Sequence, residues 1–191
     1  MLHCAVRMGL SAAVPLFAAP APTPAAESNT SVIKDATAFI RRTKEYAYQF
    51  TPPGSFVPGN KPLKTHLDEV NFKSSNVAGY QFGLTVDPVR ISSLPEFGTA
   101  EQVAAKVVTA EVNRDGVFDV KLMQDPATDA ITGALILDYL STGKRGEKRN
   151  VVKFFVAKNK LYTLTAVCKQ ADYETVKAEL LGAVDSYRLL D

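Results

Sequence analysis

Residues 151–168 read VVKFFVAKNKLYTLTAVC and consist of two apolar runs joined by a short polar segment. Val151 to Val156 and Leu161 to Cys168 are rich in β-branched and aromatic residues, which is typical of strands. Between them, Lys158 to Lys160 is polar, and its central Asn tolerates the positive φ that a tight hairpin turn requires. The stretch therefore predicts an antiparallel β-hairpin.

Further strand patterns lie on the N-terminal side of this hairpin. Alternating apolar residues mark them around Val70 and Phe72, from Tyr80 to Val86, and at Phe118, Val120 and Leu122. Ala134 to Leu140 is nearly continuous in apolar residues, which favours a central strand covered on both faces. The segment from Ser141 to Asn150 is polar and predicts a turn region.

Two amphipathic helices complete the pattern. Thr99 followed by Gln102 predicts a capping box at the start of one helix, and Gly116 suits the turn after its end. Asp172 is the predicted N-cap of the other. Its apolar face comprises Tyr173, Val176, Leu180, Val184 and Tyr187. Strands grouped between two helices do not form a βαβ repeat, so we expect an α+β fold, a mostly antiparallel sheet sandwiched by helices.

The N-terminal part has a different composition. Residues 1–26 carry one Arg, no acidic residue and an Ala-x-Ala arrangement, which predicts an export leader; an uncut Ala/Pro tail is the alternative. Residues 27–64 are interpreted as a helix from Ser31 to about Tyr48 followed by a Pro-rich loop from Thr51 to Lys64. Residues 65–191 are then the domain core.

Composition restricts the function. A formal net charge of +2 gives no reason to expect nucleic-acid binding. His66 is the only histidine after the leader and Cys168 the only cysteine. With a single histidine, the usual Ser-His and Cys-His catalytic arrangements are not expected. Cys168 alternates with apolar residues and is expected to be a core thiol. We assign no catalytic residue and expect a protein that is not an enzyme.

Two polar clusters are candidate sites. His66, Asp68 and Glu69 offer an imidazole and two carboxylates, a weak candidate for a divalent metal ion beside the alternative of solvated polar residues. Lys144, Arg145, Lys148 and Arg149 are candidates for contact with an acidic partner surface, beside the alternative of a solvated hairpin end. Tyr80 and Phe82 are either core residues or aromatic anchors for a partner.

Several motifs, found in order between about residues 46 and 190, resemble the PsbP domain. They are GYQFGLTVDP from Gly79, FGTAEQV from Phe97, DGVF from Asp115, LDYL from Leu137, KLYTLTAVCK from Lys160 and VDSYR from Val184. The resemblance implies an antiparallel sheet between helices, in agreement with the pattern above. Residues 31–64 do not match the N-terminal docking segment of the founding photosystem II subunit, which indicates a divergent paralogue.

The resemblance also implies a function. It predicts a non-catalytic extrinsic protein of the chloroplast thylakoid lumen, peripheral to the membrane, whose partners are lumenal subunits of photosystem II or photosystem I. An accessory role at the oxygen-evolving complex and a role as an assembly factor both fit, and Ca²⁺ is the cofactor that the family suggests. The alternative is a lumenal carrier that binds a small ligand or a divalent ion.

Overall fold

The computed structural model describes residues 38–59, 65–130 and 132–190. The strands are β1 Phe39–Arg42, β2 Ala47–Phe50, β3 Phe56–Pro58, β4 Asp68–Ser74, β5 Gln81–Pro88, β6 Val117–Leu122, β7 Ala127–Thr128, β8 Leu135–Gly143, β9 Gly146–Ala157, β10 Lys160–Lys169 and β11 Arg188–Leu189. The helices are α1 Ala100–Val112 and α2 Tyr173–Asp185, preceded by 3-10 helices at Leu94–Phe97 and Gln170–Asp172. The predicted leader lies outside the described residues.

The main sheet has eight strands in the order β3-β4-β5-β10-β9-β8-β6, with β7 also paired to β8. Every pairing recorded in it is antiparallel. The β9–β10 hairpin is confirmed: its turn residues Lys158 and Asn159 have φ values of 52° and 56°, as a two-residue turn between twisted strands requires.

Both faces of this sheet carry a core. On one face α2 packs with a small three-stranded sheet, β1-β2-β11, around fully buried side chains such as Leu164, Cys168 and Leu180. On the other face α1 covers Leu137 and Val152. Adjacent strand residues point to opposite faces, so β8 and β9 contribute to both clusters. The α+β fold, an antiparallel sheet between helices, is confirmed.

Helix α1 begins as predicted. The Thr99 hydroxyl accepts from the backbone N–H of Gln102 at 3.3 Å, and the Gln102 side chain accepts from the backbone N–H of Thr99 at 3.0 Å. Asp172 is the N-cap residue of α2, as predicted, but it does not cap the helix with its side chain. Asp172 ends a 3-10 helix with helical φ and ψ and makes no side-chain capping bond, because the chain enters α2 already coiled.

The predicted helix from Ser31 to Tyr48 is wrong over the described part of that range. The chain forms β1 and β2 instead, and β2 also pairs with β11 near the C-terminus. Tyr48 is 0% exposed and Phe50 is 1% exposed, and two residues apart they can share a buried face only in a strand. Residues 31–37 lie outside the described residues.

The Pro-rich segment also differs from its predicted form. Residues Phe56–Pro58 form β3, which adds to the edge of the main sheet by pairing with β4. Proline is tolerated there because an edge strand leaves one side of its backbone without a ladder partner. Tyr80 and Phe82 are each 1% exposed, so their interpretation as core residues is confirmed and their role as partner anchors is not supported.

Candidate functional site

A polar groove of about 490 Å³ lies between the C-terminal end of α1 and the β8–β9 turn. Its floor is the sheet surface beside α1, where Gln81, Thr165 and Val167 lie on β5 and β10. One wall is the end of α1 with the residues that follow it. The other wall is the β8–β9 turn, so the two walls come from segments that are distant in sequence.

Three glycines shape this groove. Gly116 has a φ of +81° and Gly146 a φ of +83°, which L side chains rarely adopt. At Gly143 a Cβ atom would lie 2.2 Å from the backbone oxygen of Gly116. Only glycine allows this approach, and next to it the Lys144 N–H donates to the Gly116 carbonyl at 2.8 Å. The helix end and the turn are thereby joined through backbone atoms.

Ion pairs neutralise part of the groove lining. Arg114 donates two bonds to the Glu111 carboxylate, at 2.9 and 2.8 Å, and this contact raises the pKa of Arg114. Lys144 Nζ lies 3.4 Å from the highly exposed carboxylate of Asp115. The Glu111 side chain is only 13% exposed, but those of Arg114, Lys144 and Asp115 are largely exposed, so these three charges remain accessible to a partner.

Arg145 and Lys148 differ from the other two cations of the groove. Their side chains have no hydrogen-bond or ion-pair partner in the part of the chain that the structure describes. Both lie close to the turn of the long β8–β9 hairpin, whose ladder runs from Leu135 to Gly143 on β8. Three of the four predicted partner-binding residues, Lys144, Arg145 and Lys148, are therefore brought together in the groove lining.

Arg149, the fourth predicted residue, is not part of this surface. It is 6% exposed and faces the α2 side of the sheet. Its guanidinium forms a two-pronged ion pair with Asp138, with Nη2 2.7 Å from Asp138 Oδ2, and lies 4.3 Å from the centre of the Tyr173 ring. The hydrogen bonds to Asp138 raise the pKa of Arg149, so it stays charged inside the protein.

The predicted metal ligands do not converge. His66 precedes β4 in a turn, and its Nδ1 lies 2.8 Å from Asp87 Oδ1. Asp68 accepts from the Tyr48 hydroxyl at 2.7 Å and pairs with Arg41 at 3.1 Å.

Glu69 accepts from the Asn71 side chain at 2.7 Å. Among the described residues no three His, Cys, Asp or Glu side chains are grouped as a metal site would need. Binding of Ca²⁺ stays a prediction, which a titration of the wild type and an Asp68→Ala variant tests.

An exposed aromatic side chain near the groove differs from its predicted place. Phe118 was expected to share a face with Val120 and Leu122, but the β6–β8 register shifts between Val117 and Asp119. This bulge leaves Phe118 64% exposed; Phe118 follows the lining residue Val117 in sequence but does not itself line the groove. Bulges redirect side chains at sheet edges, and alternation alone does not reveal them.

Sequence reasoning also missed Glu111, Arg114 and Asp115 as groove residues. The DGVF motif after α1 was the available signal, because its glycine permits the close contact with Gly143. The neighbouring position of α1 and the β8–β9 turn depends on the pairing of β6 with β8, which no local pattern encodes.

Comparison with known proteins agrees with this architecture. A model of the PsbP family matches residues 41–189, which is most of the chain. The chain belongs to the PsbP family. The matched range begins within β1 and includes β2 and the whole main sheet, and it takes in nearly all of the residues that the structure describes.

One curated relative and one solved structure are informative for this PsbP-family chain. It is 31% identical over 119 residues to PsbP domain-containing protein 2, chloroplastic, from Arabidopsis thaliana; the match covers 60% of this chain and 49% of the relative. The chain thus spans about half the length of that curated relative.

The solution structure of cyanobacterial PsbP (CyanoP) from Synechocystis sp. PCC 6803 matches with a TM-score of 0.66 and 13% identity. The match covers 83% of this chain and 96% of that one. At this level of identity the likeness shows a shared fold.

Within the described residues, neither helix is long and apolar enough to cross a membrane.

Proposed function

We propose that this PsbP-family chain is a non-catalytic extrinsic protein of the chloroplast thylakoid lumen that docks on a photosystem complex through the groove beside the β8–β9 turn. Family membership supports a role with a photosystem, and the name of the Arabidopsis relative supports a chloroplast location. The export-like N-terminus adds to the lumenal address. Its partners are lumenal subunits of photosystem II or of photosystem I. Its role is that of an accessory protein or of an assembly factor.

The observation that carries this proposal is the pair of cations, Arg145 and Lys148, without side-chain partners in the described structure. A groove lined by cations attracts acidic surfaces, speeds their encounter and fixes their orientation. Phe118, the exposed residue that follows the lining residue Val117, offers an aromatic anchor of the kind that contributes strongly to protein interfaces. The partner surface is therefore an acidic lumenal segment with an apolar side chain nearby.

Salt washing of isolated thylakoids tests this proposal. The Debye length falls from about 10 Å at 0.1 M salt to about 3 Å at 1 M, so we expect the tagged chain to be released over this range. An Arg145→Gln/Lys148→Gln variant should leave the membranes at lower salt. An Arg42→Gln/Lys44→Gln variant, with the same change in charge outside the groove, should behave as wild type.

Affinity purification from solubilised thylakoids then identifies the complex, with photosystem I and photosystem II subunits scored separately. Equal retention of the two double variants would refute docking through the groove. A mature protein found in the stroma would contradict the proposed location itself.

A further inference from the structure

A second, apolar groove lies on the other side of α1, under the 3-10 helix Leu94–Phe97. It has a volume of about 220 Å³. Side chains of the 3-10 helix, of α1 and of strands β9 and β10 line it, including Leu94, Phe97, Val107, Phe154 and Leu161. Lys106 is the single charged residue that lines it in the described structure.

The volume limits the size of what fits. A protein cavity of about 150 Å³ lined by Leu, Ile and Phe binds benzene, whereas sites for drug-sized molecules span about 300–1,000 Å³. The groove therefore fits one aromatic ring or a short alkyl chain. Its apolar lining favours such a group over water, which needs two or more polar partners to be held.

The charge at the edge of the groove restricts the chemistry further. Lys106 Nζ donates to the Phe97 carbonyl at 2.8 Å and lies 5.1 Å from the centre of the Phe97 ring. No described carboxylate pairs with this ammonium group. An ammonium has three donors, and the Phe97 carbonyl takes one, so two remain for an anion.

The surroundings of the groove favour a small free ligand. Membrane and protein contacts use apolar patches of several hundred Å². Of the residues that line the groove, Phe97 alone, at 41% exposed, is among the exposed large apolar side chains of the described structure. We propose that the groove binds a small amphipathic carboxylate, with its ring or short chain in the cavity and its carboxylate on Lys106 Nζ.

A matched pair of probes tests this proposal on the whole chain. We expect 3-phenylpropionate to bind saturably and to shift the amide NMR signals of residues 94–97 and of α1. The neutral analogue 3-phenyl-1-propanol should bind about threefold more weakly, because it lacks the ion pair with the exposed Lys106 ammonium.

Two variants separate the apolar and the charged contributions. Lys106→Gln should weaken binding of the carboxylate about threefold and leave that of the alcohol unchanged, while Lys121→Gln, the same change on β6, should alter neither affinity. Ala110→Leu should weaken the binding of both probes, because Ala110 lines the groove and the larger Leu side chain would occupy part of it. Leu is a good helix former, so the change should leave α1 intact. Far-UV circular dichroism confirms that each variant is folded.

The proposal is overturned if no saturable shift appears at residues 94–97, or if the acid and the alcohol bind equally well. A different result would assign the groove to a lipid chain instead. In that case the chain sediments with vesicles of an anionic phospholipid, Ala110→Leu abolishes this sedimentation, and the free carboxylate does not bind. None of these results bears on docking through Arg145 and Lys148, so the two proposals fail separately.

Discussion

Arg149 and Asp138 form an ion pair on the α2 side of the sheet, and each side chain is only 8% exposed. The Arg149 guanidinium also packs against the ring of Tyr173, the first residue of α2. Removing both charges from water is costly, and the paired geometry offsets that cost only while both partners are present. The pair therefore links β8, β9 and α2 through one contact.

We expect Asp138→Ala to lower the free energy of unfolding by about 3–5 kcal/mol, because it leaves the Arg149 charge buried without its partner. Replacing both residues, as Asp138→Leu/Arg149→Met, should cost much less. Urea unfolding followed by far-UV circular dichroism measures both. Asp115→Ala is the control, since its carboxylate is 99% exposed. A loss no larger than that of this control would refute the role of the pair.

The same residue shows where sequence reasoning stops. Arg149 looks like one more cation of the basic run, but it alternates with Val151 and Lys153 on a buried face of β9. Its burial is possible only because Asp138 lies on the neighbouring strand, and that pairing is a long-range property. Cys168 was predictable, because apolar neighbours at alternate positions surround it, and burial raises the pKa of its thiol to about 11.

Among the elements, those with strong local signals were predictable. The capping box at Thr99 and the positive-φ turn at Asn159 each depend on neighbouring residues only. The N-terminal strands were not, because Phe39 and Ile40 fit a helical pattern as well as a strand. β2 is held between β1 and β11, and the latter lies about 140 residues further along the chain.

The junction of α1 with the β8–β9 hairpin yields a test at the same scale. Gly143→Ala should lower the free energy of unfolding by about 1–3 kcal/mol, because its Cβ would meet the Gly116 carbonyl at 2.2 Å. Gly182→Ala is the matched control. Its Cβ has no neighbour within 4 Å in α2, so it should stabilise by about 0.5–1 kcal/mol. Chemical denaturation measures both, and equal effects would contradict this view of the junction.

Across the whole molecule, two core clusters lie on opposite faces of one sheet. Val151 belongs to the α2 side and Val152 to the α1 side, so a single strand supports both. Loss of packing on one face disturbs the backbone that the other face needs. The domain should therefore unfold as one cooperative unit.

We expect Leu137→Ala on the α1 side and Leu164→Ala on the α2 side each to lower the free energy of unfolding by about 2–5 kcal/mol. The transition should stay single, with an unchanged dependence on denaturant. Far-UV circular dichroism and tyrosine fluorescence should coincide, and the absence of Trp leaves the tyrosine signal unobscured. Two separate transitions in either variant would show that the faces unfold independently.

The fold class was predictable at this scale because strands grouped between two amphipathic helices allow few architectures. The order of strands was not, since β5 lies beside β10, about 80 residues away. Both grooves depend on that order. Single residues of each groove could be suspected from the sequence, but the sequence does not show that they lie together.

The backbone contact between Gly116 and Gly143 has a thermodynamic consequence for docking. A basic loop that is mobile when free must be ordered by its partner, at a cost of about 2–5 kcal/mol for coupled folding and binding. Here the turn that carries Arg145 is already fixed to the helix end through the Lys144 N–H. A partner then restricts only side-chain rotamers, at about 0.5–1.5 kcal/mol each. Because the two glycines allow this fixed turn, less of the electrostatic attraction is offset by ordering of the backbone, and the binding free energy is more favourable.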